Sequence, residues 1–260
     1  GSGDCEALHK GITIIEEDGV VARHPRLTGN RRHHALELAH LGLGFHHFGF
    51  HLRDTGDHFL FKRHGGGAAD FRLGLLQRHE RQRRVLERLV DFSGWRQAPA
   101  LRVPGAWTGR GIALHQSFGS VVGQVAEVAV TEDGTIRVHR VHCVVDCGYP
   151  VNPSLIRQQV EGSVQFALAS ALHGEITFRD GAVVQSNFHD YPLLRGHEAP
   201  EVLVELLPSG DLPLGIGEPA VPPVAPAVAN AVFAATGLRL RELPLRLPAD
   251  ALSRVAPAVS

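Results

Sequence analysis

Apolar positions change their period several times along the chain, and each change predicts an element. Phe71, Leu73, Leu75, Leu76, Val85, Leu86, Leu89 and Val90 recur at helical spacing with Arg and Glu between them. That pattern predicts one or two amphipathic helices ending near Gly94-Trp95. A linker containing Pro and Gly over 98–111 separates them from three strand candidates, Ile112–Phe118, Val121–Val130 and Ile136–Val145. Glu132-Asp133-Gly134 joins the last two as a hairpin. Pro153 then opens a helix carrying Leu155, Val160, Val164, Phe166, Ala167 and Leu172, with Asn152 as its cap. A second hairpin turns at Arg179-Asp180-Gly181, and Val202–Leu207 is a further strand. Last comes an Ala-rich apolar helix over Ala225–Thr236, ended by Gly237. Hairpins mixed with helices, without strict alternation, predict an α+β fold.

Before about residue 67 no period is sustained. Ten of the seventeen histidines crowd there, including His33-His34, His46-His47, His51, His58 and His64. A His-rich tract can bind metal, but the spacing matches no compact ligand set. The stretch reads as a different sequence population, of the kind a shifted reading frame would produce. The expected organisation is therefore a His-rich segment over 1–67, a folded portion over 68–248 and a tail over 249–260.

Composition narrows the function classes. The 260 residues carry a formal net charge of -1, so no basic field argues for nucleic acid. No apolar run approaches the roughly 18 residues that span a bilayer. The chain has no methionine, even at position 1, and reads as a processed piece or a fragment. Its three cysteines give no disulfide framework.

Candidate chemistry sits in three places. His139-x-x-His142-Cys143-x-x-x-Cys147 has the residue types of a zinc site, but the two histidines, three apart on a strand, are expected to face opposite ways. Cys143 and Val145 fit an apolar strand face instead. The run His79–Arg84 reads as a solvated helix face or a phosphate contact. The third place is Gly215-Ile216-Gly217-Glu218-Pro219-Ala220, where Glu218 is the one acidic residue between Asp211 and Glu242. Glycines before it allow close backbone approach and prolines after it fix the exit. A carboxylate on such a loop suits a general base, although a solvated turn is also consistent with it. The formal match to a dinucleotide fingerprint fails, because prolines interrupt both flanks.

Several segments in one order then carry a resemblance. Gly109–Ser120 is followed by Asp146-Cys-Gly-Tyr-Pro-Val-Asn-Pro153, Gln159-Val-Glu-Gly162, Gln185–Tyr191, and Gly215-Ile-Gly-Glu-Pro with Ala225–Ala231. Over about 68–248 this series resembles the carboxyl-terminal part of the molybdenum-cofactor subunit of the xanthine dehydrogenase/aldehyde oxidase superfamily. The isoquinoline 1-oxidoreductase type of large subunit is the nearest look. The resemblance implies part of a molybdopterin-binding domain, with Glu218 as active-site base. It implies that Gln159 contacts the pterin and that Gly217 lies where the loop backbone passes the metal. Asp146 and Asn152 would be structural first. The implied reaction hydroxylates an N-heteroaromatic or aldehyde carbon with oxygen from water. The implied cofactor is Mo-molybdopterin in its cytosine dinucleotide form, and the implied partner is a small iron–sulfur subunit with 2Fe-2S clusters. The alternative is a non-catalytic remnant, or a binding or assembly piece. No residue of the chain is expected to ligate the metal itself, and the resemblance leaves periplasm and cytoplasm both open.

Overall fold

The computed structural model describes residues 67–248 and 250–255. Apart from Gly67, the His-rich segment expected over 1–67 lies outside the described residues, as do Ala249 and residues 256–260 of the expected tail.

Among the described residues two helices come first, α1 (Ala68–Leu75) and α2 (Glu80–Phe92). Three long strands follow, β1 (Ala106–Ser117), β2 (Ser120–Thr131) and β3 (Ile136–Asp146). After them come α3 (Pro153–Leu172), the two-residue strands β4 (Phe178–Arg179) and β5 (Ala182–Val183), and β6 (Glu201–Leu206). Helix α4 (Val224–Thr236) closes the order before a short 3-10 turn at Leu252–Arg254. The main sheet runs β1-β2-β3-β6. Its first three strands form an antiparallel meander, while β6 lies parallel to β3 with Val141 opposite Val202. This is the expected α+β arrangement.

Both faces of the sheet are covered, so β2 is buried along nearly its whole length. Val121 and Val125 join Ile112, Leu114 and Val144 under α1 and α2, against Val85, Leu86 and Leu89. Val122, Ala126 and Val128 face the other way with Cys143 and Val145, under α3 and α4. Burial at about 25 cal/mol per Å2 makes these two apolar layers the main stabilising term. Val160, Val164 and Ala167 of α3 enter the second layer, whereas Leu155 and Phe166 remain exposed. Those two apolar positions lie off the face that α3 turns toward the sheet.

The expected linker over 98–111 is shorter than its composition suggests, because β1 begins at Ala106. Gly109 and Gly111 are strand residues lying under α4. A Cβ on Gly111 would sit 2.1 Å from the Ala227 carbonyl oxygen, and one on Gly109 would sit 2.3 Å from that of Ala231. Glycine here is a packing requirement, and the amide of Asn230 reinforces the approach by donating to the Ile112 carbonyl at 3.1 Å.

Both expected hairpins form. Phe118 and Gly119 also make a two-residue turn with positive φ (50° and 79°), joining β1 to β2. In β3, Glu127 pairs with Arg140 but Val128 pairs with Val138, leaving His139 as a bulge. That bulge breaks the strict alternation from which opposite faces for His139 and His142 were expected. His142 packs edge-on against Phe92 of α2, with ring centroids 5.5 Å apart. Nor is the run His79–Arg84 simply a solvated face. Arg81 pairs with Asp146, Arg83 with Glu87, and Arg84 reaches the Pro208 carbonyl.

Candidate functional site

The loop carrying Glu218 is assembled from the end of β3 outward. Beyond Asp146 the chain turns at Gly148, where φ is 73° and an added Cβ would meet the Leu212 carbonyl oxygen at 2.1 Å. Only glycine meets both conditions. This lets residues 211–214 lie alongside residues 147–149. The Tyr149 amide donates to the Asp211 carbonyl at 2.9 Å, and the Leu214 amide donates to that of Cys147 at 2.9 Å. The Gly215 amide then reaches the Phe118 carbonyl in the β1–β2 turn.

From Gly215 onward, side chains hold the loop. Ser120 Oγ on β2 donates to the Gly215 carbonyl at 2.6 Å. Ser163 Oγ on α3 donates to the Gly217 carbonyl at 3.4 Å, and Gln124 Nε2 on β2 donates to the Ala220 carbonyl at 2.8 Å. A backbone bond from the Val221 amide to the Glu218 carbonyl at 2.9 Å closes the turn. Ala220 is buried beneath it, while Gly217 and Glu218 are exposed. Sequence reasoning missed Ser120, Gln124 and Ser163. Their partners lie 95, 96 and 54 residues away, and no local pattern marks them.

Gln159 sits on the exposed face of α3, one helical turn before Ser163. It lines an open cavity of about 180 Å3 together with Tyr149, Val151, Leu155, Leu214 and Ile216. Ile216 belongs to the Glu218 loop, so Gln159 and that loop border one recess. Among the described residues, the side chains of Gln159 and Glu218 have no hydrogen-bond partner, and Gly217 would meet nothing within 4 Å of an added Cβ. The site therefore offers an untied carboxylate, an untied amide and an open stretch of backbone.

Asp146 and Asn152 act on the scaffold. The Asn152 carbonyl oxygen Oδ1 accepts from the Leu155 amide at 3.1 Å and caps α3. Burial pushes the Asp146 carboxyl up, but hydrogen bonds from Arg81 and Gly148 and the guanidinium charge outweigh it. They hold the carboxyl below the usual carboxylate range. Burial raises the thiols of Cys143 and Cys147, which leaves both protonated and poorly nucleophilic. No group of three or more His, Cys, Asp or Glu that could hold a metal ion occurs among the described residues. Likewise, no described helix is long and apolar enough to cross a membrane.

Comparison with known proteins gives these positions a context. The chain is 31% identical over 199 residues to the beta subunit of isoquinoline 1-oxidoreductase from Brevundimonas diminuta, covering 76% of this chain and 25% of that protein. It is 33% identical over 134 residues to PaoC, the molybdenum-binding subunit of an aldehyde oxidoreductase from Escherichia coli, covering 48% of this chain and 18% of that one. Among solved structures it is similar to quinoline 2-oxidoreductase from Pseudomonas putida 86. There the TM-score is 0.44 at 26% identity, covering 48% of this chain and 17% of that one. The chain thus spans a quarter or less of the length of these relatives. The family model that matches is the molybdopterin cofactor-binding domain, over residues 69–200. That span holds α1 to β5 and Gln159, while Gly217 and Glu218 lie beyond it. With half of its length matched, from the paired helices α1 and α2 through the meander and the helix that bears Gln159, the chain belongs to the molybdopterin cofactor-binding domain family.

Proposed function

We propose that residues 68–248 form one wall of the active site of a molybdenum hydroxylase, with Glu218 as general base and with Gln159 and the Gly217 backbone as cofactor contacts. The carrying observation is the shared recess bordered by Gln159 and the Glu218 loop. Its donor set suits a pterin. The Gln159 amide can both donate and accept, and the backbone at Gly217 is open to close approach. Its size suits a wall and not a whole site, since about 180 Å3 falls below the roughly 300–1,000 Å3 of small-molecule pockets. The remaining wall comes from parts of a subunit like the relatives, of which this chain spans a quarter or less.

The molybdenum-pterin group, in its cytosine dinucleotide form by the resemblance, supplies the two-electron redox chemistry when bound. The chain's own residues have separate tasks. Gln159 orients the pterin edge. The Glu218 carboxylate takes up, at Oε1 or Oε2, the proton released when water-derived oxygen is delivered to carbon. A carboxylate free of internal partners is unhindered in that role. The substrate class is an N-heteroaromatic or an aldehyde carbon, and electrons pass on to a 2Fe-2S partner subunit.

Glu218→Gln in the complete subunit tests the reading. The isosteric amide keeps the loop's shape and removes the base, so turnover should fall by about 100- to 10,000-fold with molybdenum content unchanged. Near-normal turnover would overturn it. A second reading, a binding or assembly piece that holds no cofactor by itself, is favoured by the small open cavity. It predicts that the 260-residue chain purifies without stoichiometric molybdenum and that no longer assembly containing it turns over.

A further inference from the structure

We infer that Gln124 is a positioning residue for Glu218, acting through the backbone of the loop that presents it. The inference rests on the reading of Glu218 as base. Gln124 is polar yet fully buried, at 0% exposure, in the middle of the central strand β2. Its neighbours on that face are apolar, Val122 and Ala126, and the residue opposite it on β3 is Cys143. A lone amide in such a layer costs free energy unless it does something that an apolar side chain cannot.

What it does is reach across 96 residues of sequence to the Ala220 carbonyl, two positions after Glu218, at 2.8 Å. Ser163 holds the carbonyl of Gly217, one position before Glu218. The exposed carboxylate is thus bracketed by two anchored peptide units, one fixed from the sheet and one from α3. The bracket compensates for the weak point of the loop. Among the described residues, the Glu218 side chain has no hydrogen-bond partner of its own, and its carbonyl bonds only within the turn, to the Val221 amide, so the position of the carboxylate depends on the backbone on either side. Both anchors are buried, and Gln124 makes the shorter bond, 2.8 Å against 3.4 Å. It is seated on an internal strand of the sheet, a rigid element compared with the loop it holds.

The test uses the complete subunit with its cofactor and partner. Gln124→Met keeps the volume and removes the donor. The expected result is a fall in kcat of about 10- to 100-fold per bound molybdenum, in line with the cost of a misplacement of about 1 Å. KM and molybdenum content should stay near wild type. Independently of activity, amide hydrogen exchange should rise at residues 215–221 and stay unchanged across 106–117. Turnover per molybdenum equal to wild type, with a lowered melting temperature as the only effect, would assign Gln124 a structural role and overturn the inference. So would wild-type exchange at residues 215–221. If the melting temperature of Gln124→Met falls too far for turnover assays, exchange at residues 215–221 measured well below that temperature decides by the same criterion. Glu218→Gln run in parallel separates the two ideas. If that variant turns over normally, the base assignment fails and the positioning role fails with it. If that variant is inactive while Gln124→Met is normal, the positioning role alone fails.

Discussion

The Arg81 guanidinium grips the Asp146 carboxylate through two hydrogen bonds, Nε to Oδ2 at 3.0 Å and Nη2 to Oδ1 at 2.8 Å. Arg81 also donates to the Gly119 carbonyl at 2.8 Å, so one side chain ties α2 to the end of β3 and to the β1–β2 turn. Those two chain segments are the ones on which residues 211–215 rest. Asp146 is 1% exposed and Arg81 27%, which makes this pair a structural clamp and not a surface ion pair. The scaffold of the Glu218 loop therefore begins at α2, far from the loop itself.

Breaking that clamp from one side leaves a buried charge unpaired. Arg81→Ala should destabilise by about 3 kcal/mol in urea unfolding. The pH dependence follows from the sign of the shift. The Asp146 carboxyl lies below its unfolded value of about 3.9, so the unfolded chain binds the proton more readily. The stabilisation is fully present above about pH 4 and is lost as pH falls through the folded value. A loss on Arg81→Ala that is as large at acid pH as at pH 7 would contradict the ion pair.

Two glycines should respond in opposite ways to the same methyl group. Gly111→Ala drives a Cβ into the α4 backbone, 2.1 Å from the Ala227 oxygen, and should cost about 3 kcal/mol or more. Gly217→Ala meets nothing within 4 Å, so its unfolding free energy should stay within about 0.5 kcal/mol of wild type. Under the proposed function, that same methyl faces the cofactor, and molybdenum content of the assembled subunit should fall. A destabilised Gly217→Ala would mean that the loop is packed from above.

Elements whose cause is local were legible in the sequence. Asn152-Pro153 marks the start of α3 because an Asx cap and an N1 proline act within one turn. Gly237 marks the end of α4 because its φ of 75° is a local requirement. Gly109 and Gly111 read as linker because the reason for them is a helix more than 110 residues later. Leu155 and Phe166 share the apolar pattern of α3 and yet lie exposed, because period alone does not say which face a helix turns inward. The Glu218 loop could be picked out by its glycines and prolines, but its three anchoring donors could not. Ser120, Gln124 and Ser163 acquire meaning only once the strands and α3 are paired with residues 215–220.

Capping of α3 is testable by itself. Asn152→Ala removes the acceptor for the Leu155 amide and should cost about 1 kcal/mol, whereas Asn152→Asp or Asn152→Ser should recover most of it. Because Gln159 and Ser163 ride on the same helix, fraying should also raise hydrogen exchange at its first turn. Unchanged stability of Asn152→Ala would mean that Pro153 alone sets the helix start.

His115 should give this fold a measurable acid slope. It lies on β1 at 4% exposure, and burial pushes its pKa down from the ordinary 6.5 to about 4. The unfolded chain then binds a proton at pH values where the folded chain does not, so stability rises with pH across that window. The contribution is complete above about pH 6.5 and is lost as pH falls toward 4, a span worth about 3 kcal/mol. His115→Leu should flatten the slope between pH 6.5 and 4 in denaturant titrations. His142, also pushed down by burial, would supply part of what remains. Identical slopes for wild type and His115→Leu would show that the folded protein lets His115 take up a proton at its ordinary pKa, and would rule out a sealed β1–β2 face at that position.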